Sequence, residues 1–272
     1  MTTTRSPDPG PAPSRALSFD RAAAQYAAAR PGYPDALFDA VEDLAGRPLR
    51  GARALDVGAG TGISTRRLLD RGARVVAVEP GPGMAAQLRR GLPDVPLVRG
   101  DGNRLPFATA SADLITYAQS WHWTDPARSA AEVRRVLRPG GTLALWWNVA
   151  DSKVPWLGAQ EERLVRFFGV GPGELGRGIA HGSATRGRDL PPDLDFTYRR
   201  IPWTRSVPLA THLDNLGSHS AFLTTDDEAA RGFLAEERAL LLAEFPDGTV
   251  EEAYVVELHA AVRRAEAAPP VP

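Results

Sequence analysis

Between residues 53 and 147 the chain alternates short β-branched runs with helical stretches, which leaves few architectures open to it. Arg53–Val57, Arg74–Val78, Val95–Val98, Asp113–Tyr117 and Thr142–Trp147 read as strands. Thr61–Asp70, Gly83–Arg90 and Pro126–Leu137 lie between them with apolar residues at helical spacing. Ile63, Leu68 and Leu69 form one inner face; Ala130, Val133 and Val136 form another. Arg138-Pro139-Gly140-Gly141 ends the last of these helices. Strands that are apolar on both faces and separated by helices predict a parallel sheet covered on two sides.

The remainder is less regular. Residues 1–14 and 265–272 are rich in proline or small residues and read as disordered tails. Trp156–Phe168, Leu209–Phe222 and Asp226–Phe245 read as helices, Gly169–Pro192 as a surface loop, and Phe196–Val207 as an antiparallel strand. Periodicity leaves Tyr254–Val262 open between strand and helix.

At 272 residues the chain can form one large domain. Thirty-two basic residues against thirty-three acidic ones give a net charge of -1, which argues against non-specific capture of nucleic acid or anionic membrane. Cysteine is absent, so disulfides, thiolate metal sites and cysteine nucleophiles are excluded. Lys153 is the sole lysine, which leaves little room for amine catalysis. No apolar run reaches the ~18 residues of a membrane span. The N-terminus carries no apolar signal segment, so a cytoplasmic protein is expected.

Leu55-Asp56-Val57-Gly58-Ala59-Gly60-Thr61-Gly62 joins the first strand to a helix. Its glycines permit a tight turn and close approach of backbone to a ligand, next to the unpaired N–H groups of a helix start. Spacing at 58, 60 and 62 does not match the dinucleotide GxGxxG pattern, and no GK[ST] follows. Asp56, at the strand end, could accept hydrogen bonds from a ligand ammonium. Glu79 ends the second strand, where a carboxylate can take both vicinal hydroxyls of a ribose. Asp101, in Gly100-Asp101-Gly102 beyond the third strand, could accept from an adenine amine, although Gly-Asp-Gly is also common turn chemistry.

In these segments the chain resembles the class I S-adenosylmethionine-dependent methyltransferases. ALDVGAGTG at 54–62 is similar to their first motif and VVAVEP at 75–80 to the second. VRGDGNRLPF at 98–107, ADLITYAQSWHWTD at 112–125 and VLRPGGTLAL at 136–145 resemble the later ones. FDRAAAQYAAARPGYP at 19–34 resembles the start of the small-molecule, type 11-like subfamily. The resemblance implies an α/β, Rossmann-like fold: a seven-stranded, mostly parallel sheet flanked by helices, with an N-terminal lid and a helical substrate-side insertion. Tyr254–Val262 becomes the antiparallel last strand. Residues 15–147 become lid and cofactor core, 148–245 the insertion with a strand near 196–207, and 246–264 the closing strand segment. The cofactor implied is S-adenosylmethionine. Gly58, Ala59, Gly60 and Gly62 would lie beside its methionine part, with Asp56 helping to hold it. Glu79 would take the ribose, Pro80 and Met84 would pack near adenine, and Asp101 with Gly102 would meet the adenine edge. Gln119 would lie near the methionine or the methyl.

Methyl transfer needs a base only where the acceptor must lose a proton. His122, after the fourth strand, and His219, in the insertion, are the candidates for base and substrate contact. Each could instead be a locally bonded histidine. His212 is a lesser candidate that could pack or cap its helix. Tyr26 and Arg30 would share a face of a lid helix over the cofactor, with Tyr33 near the substrate; packing against the domain edge is an equal reading. Trp121 and Trp123 could stack on a planar acceptor, or pack in the core. Trp146 and Trp147, adjacent in a strand, must face opposite sides.

No metal is expected, because no residue group has ligand spacing. The acceptor is expected to be an oxygen of a small molecule, with nitrogen or carbon next, and the protein a monomer or homodimer without nucleic-acid or membrane partners. A cofactor-binding protein without catalysis remains an alternative, as does methylation of a peptide. Base methylation is disfavoured, since neither a cysteine nor an Asn/Asp-Pro-Pro-aromatic motif occurs.

Overall fold

The computed structural model describes residues 29–170, 190–191, 194–219, 221–222 and 225–264. One seven-stranded sheet runs through it in the order β3-β2-β1-β4-β5-β7-β6. Its strands are β1 (Arg53–Val57), β2 (Arg74–Val78), β3 (Leu97–Val98), β4 (Ala112–Ala118), β5 (Leu137–Ala150), β6 (Thr197–Pro208) and β7 (Thr249–Val262). β1 to β5 pair in parallel. β7 inserts between β5 and β6 and is antiparallel to both. Tyr254–Val262 is therefore strand, and the ladder begins earlier than expected, at Thr249. β3 shrinks to two residues because Pro93 and Pro96 restrict the approach to it.

The helices are α1 (Asp35–Ala45), α2 (Ile63–Asp70), α3 (Pro82–Gly91), α4 (Pro126–Val136), α5 (Pro155–Phe168), α6 (Leu209–Gly217) and α7 (Asp227–Glu244). α1 is absent from the sequence reading, although its signals are local. Pro34 precedes it, Leu37, Phe38 and Val41 form its apolar stripe, and Gly46 closes it in the left-handed conformation (φ 62°). That stripe packs with Trp146, Val256 and Leu258 on one face of the sheet. Trp147 faces the other way, with Ile115, Tyr117 and Val133. α6 ends at Gly217, short of Phe222. Asp226 caps α7 by accepting from Glu228 and Ala229 N–H. No helix among the described residues is long and apolar enough to cross a membrane.

Asp113 pins the amino ends of the central strands. It accepts from Arg53 N–H at 2.8 Å and Arg53 Nε at 3.1 Å, pairs with Arg138 at the start of β5, and lies 3.3 Å from Arg47. Burial acts to raise its carboxyl, but the Arg53 and Arg138 bonds override this and hold it well below the usual carboxylate range. A depressed pKa stabilises the fold above the unfolded value, and that contribution fades as pH falls. Asp113→Asn should therefore cost about 1–3 kcal/mol at pH 7. Urea titrations should show the gap to the parent narrowing as pH falls below about 4.

Candidate functional site

The carboxyl ends of β1, β2 and β4 meet at one crevice, as strand order around a parallel sheet requires. Gly58, Gly60 and Gly62 have φ of 68°, 57° and 91°, which side chains rarely adopt. They differ in what surrounds them. A Cβ on Gly58 would stand 2.5 Å from Ser120 Cβ, and one on Gly62 would meet Leu92 at 2.9 Å. A Cβ on Gly60 would meet nothing within 4 Å. Gly58 and Gly62 thus serve packing, while Gly60 borders open space. Ala59 is buried against Ala77 and Leu88, so its side chain belongs to the core rather than to a ligand.

Glu79 is 6% exposed, and its carboxylate joins two turns. Oε2 accepts from Gly60 N–H at 2.8 Å and Oε1 from Gly81 N–H at 2.7 Å. Pro80 lies half-buried beside it and Met84 is buried on α3. Asp101 is exposed and accepts from Asn103 N–H at 2.7 Å. Gly102 owes its identity to packing: a Cβ there would fall 2.9 Å from the Tyr117 ring and from Thr124.

Several sequence assignments change. Asp56 is fully buried, and its oxygens accept from Thr65 Oγ1 at 2.7 Å and Thr116 Oγ1 at 2.8 Å. Burial raises its pKa, and these hydroxyls pull it back. It braces the turn from beneath instead of facing a ligand. Trp121 is 1% exposed with its ring edge-on to Tyr117 at 4.8 Å, so it is core and not a stacking surface. His122 Nδ1 accepts from Trp147 Nε1 at 3.2 Å. A neutral ring bonded this way carries its proton on Nε2, with Nδ1, the nitrogen a base would use, already accepting a hydrogen bond. Trp123 is half-buried, 4.6 Å from the His122 ring. Tyr26 and most of the lid segment lie outside the described residues, as do most of the loop at 169–192 and both tails.

Gln119 stands out at the end of β4. It holds φ 57°, an uncommon conformation for a residue with a side chain. Its Nε2 donates to Tyr33 OH at 3.2 Å, and its buried Oε1 has no partner among the described residues. Tyr33 itself is buried, edge-on to Trp146 at 5.9 Å. Thr61 Oγ1, in the glycine turn, is a second buried oxygen without a described partner. Strain and unmet polar atoms beside an open glycine are what a polar ligand would complete. The groups present fit an adenosine-bearing sulfonium: Gly60 offers space, Gln119 Oε1 an acceptor for an ammonium, and Glu79 a carboxylate.

Next to Gln119 a cavity of about 70 Å³ is lined by Arg30, Asn148, His212, His219 and Tyr254. Arg30 is 9% exposed and donates from Nε to Ser218 Oγ at 3.1 Å. Burial first, and then the charges of Arg30 and His212, push the His219 pKa well below its usual value. Its ring is neutral at pH 7 and a weak base. Asn148 accepts from Trp203 Nε1 at 2.9 Å, and Tyr254 OH accepts from Asn215 at 3.1 Å. His212 Nδ1 meets Glu252 Oε1 at 2.6 Å. Asn148, Tyr254 and Glu252 were missed because no spacing in the chain links them. Among the described residues no three His, Asp or Glu groups converge as metal ligands do.

The sequence profile of a family described as a methyltransferase domain matches residues 55–145. An uncharacterised methyltransferase of Mycobacterium bovis is 38% identical over 228 residues, 83% of this chain and 86% of that protein. A demethylmenaquinone methyltransferase of Beutenbergia cavernae is 41% identical over 130 residues, 47% of this chain and 51% of its own length. A solved structure from Anaeromyxobacter dehalogenans, provisionally assigned as a type II methyltransferase, aligns with a TM-score of 0.66 at 27% identity. That alignment covers 87% of this chain and 99% of the other.

Gly60→Ala tests the crevice directly. Alanine at a left-handed φ costs about 1 kcal/mol, and its methyl has room, so the variant should fold. Calorimetry should show S-adenosylmethionine affinity falling by about tenfold or more. Unchanged affinity would remove Gly60 from the cofactor wall.

Proposed function

Because the chain belongs to the class I S-adenosylmethionine-dependent methyltransferases of the type 11 family, we propose that its acceptor is a small molecule methylated on an oxygen that arrives ionised, a carboxylate. The observation that carries this reading is the pairing, in one cavity, of buried cationic Arg30 with neutral His219. A carboxylate brings no proton that must leave, so neither histidine has to act as a base.

When bound, the cofactor supplies an electrophilic methyl on a sulfonium, open to in-line displacement. The chain's own contribution is position. Gln119, bonded to Tyr33, would meet the methionine part of the cofactor, and Glu79, bonded to Gly60 N–H, its ribose. Arg30 would orient the acceptor's carboxylate and favour its charged form. Leu157, Leu164 and Leu216 line the same cavity and exclude water. A cavity of about 70 Å³ has room for about two waters, so it suits the reacting end of an acceptor and not the whole molecule. Alignment of this kind can contribute several kcal/mol, up to about 7–11 in well-oriented systems.

Mass spectrometry with S-adenosylmethionine and a panel of carboxylic acids, phenols and amines should give a product one methylene heavier, and an ester. Arg30→Gln should raise the acceptor KM about tenfold or more while S-adenosylmethionine affinity stays within about twofold. A loss of cofactor affinity instead would assign Arg30 to the methionine carboxylate. Ether or amine products alone would overturn the carboxylate reading.

A further inference from the structure

A second and larger cavity, about 630 Å³, opens at the opposite end of the sheet from the crevice. Arg53 and Arg74, the first residues of β1 and β2, line it, as does Ser111 just ahead of β4. It exists because the β2–β3 ladder covers only Ala77 and Val78. Residues 99–111, which precede β4, form turns and no helix, and Arg66 and Leu69 of α2 supply part of the cavity wall.

The β2 edge is open here. Ala77 N–H donates toward the β3 side, to Pro96 O at 2.9 Å. The two-residue alternation of strand bonds sends the Val75 N–H to the same side. There the chain turns away, with Val95 N–H donating back to Leu92 O at 3.2 Å. The walls are apolar, with Val76, Val95 and Phe107 only partly buried. The charged lining is three arginines against one carboxylate, Asp94. Arg53 is held by Asp113, and Arg66 donates to Gly91 O at 2.8 Å. Arg74 is exposed and has no ion pair or side-chain hydrogen bond among the described residues. The volume falls in the range of about 300–1,000 Å³ that small-molecule sites occupy.

We propose that this cavity is a ligand site distinct from the methyl-transfer crevice, and that it takes a small planar apolar anion, its rings between Val76 and Phe107 and its acid group at Arg74 and the Val75 N–H. Apolar walls alone would accept any hydrophobic molecule. The cationic excess and the open donor select for an anion.

The test uses the full chain and 8-anilinonaphthalene-1-sulfonate, followed by fluorescence. Binding should saturate at one probe per chain and should not change with saturating S-adenosylmethionine. N-phenyl-1-naphthylamine, a similar ring system without the sulfonate, should bind about tenfold more weakly. Arg74→Glu, at an exposed position, should weaken the sulfonate probe by about the same factor. Val95→Trp should narrow the cavity and weaken binding, with thermal unfolding of both variants confirming that they are folded. If Val95→Trp does not fold, Arg74→Glu and the neutral ring still decide. Displacement by S-adenosylmethionine, equal binding of the neutral ring, binding unchanged by Arg74→Glu, or no saturable binding would each overturn the proposal. So would loss of probe binding on dimerisation, which would make the occupant a second copy of the chain.

Discussion

The Glu79 carboxylate accepts one backbone N–H from the turn after β1 and another from the turn after β2, and so fixes how far apart those turns stand. Both donors sit where the sheet has ended and no ladder can take them. Gly60 can present its N–H only because it lies in the left-handed region, and Gly81 presents its own one residue before α3 begins. A single buried anion thus replaces the backbone pairing that the strand ends give up. Beneath it Asp56 does similar work, joining Thr65 of α2 to Thr116 of β4. Ser120 Oγ closes the third side by donating to Val57 O at 2.5 Å. The crevice floor is therefore a polar lattice between apolar layers, and the large residues beside it, Trp121 and Trp146, are packing that holds the lattice still.

The succession of strands and helices and the glycine turn were legible because both are local. A period-2 run followed by a period-3.6 run commits the chain to parallel pairing, and glycines at strand ends mark where backbone bends back. The placement of Glu79 beside the glycine turn was legible for the same reason, since it follows the end of a strand. Asp56 occupies an equivalent position but points into the core. The difference lies in Thr116, sixty residues later, whose hydroxyl reaches it only once β1 and β4 are side by side. The surroundings of His122 and Trp121 are likewise set by packing. Their partners, Trp147 of the neighbouring β5 and Tyr117 of β4, lie outside the Ser-Trp-His-Trp string. α1 is the opposite case: Pro34, the Leu37-Phe38-Val41 stripe and Gly46 mark it in the sequence alone.

The small cavity beside Gln119 was hardly legible, because it rests on polar and charged groups drawn from five elements. Glu237 of α7 accepts from Gln160 at 3.0 Å and pairs with Arg163, both of α5. Gln160 meets His212 of α6 at 3.1 Å, and His212 meets Glu252 of β7. Glu252 also takes Arg205 of β6, which reaches on to Ala29 O at 3.0 Å. Burial acts to raise the Glu252 carboxyl, but His212 and Arg205 override it and hold it low. Such buried ion pairs add little net stability, since desolvation offsets most of their attraction. What they do supply is registry. An apolar patch would let α5, α6 and α7 slide against the sheet, whereas a chain of directional bonds admits one arrangement. Arg30, Asn148 and His219 stand against that fixed surface, which holds the shape of the cavity they line. A displacement reaction depends on the angle and distance of approach more than on any acid or base, and a rigid polar scaffold supplies those directly.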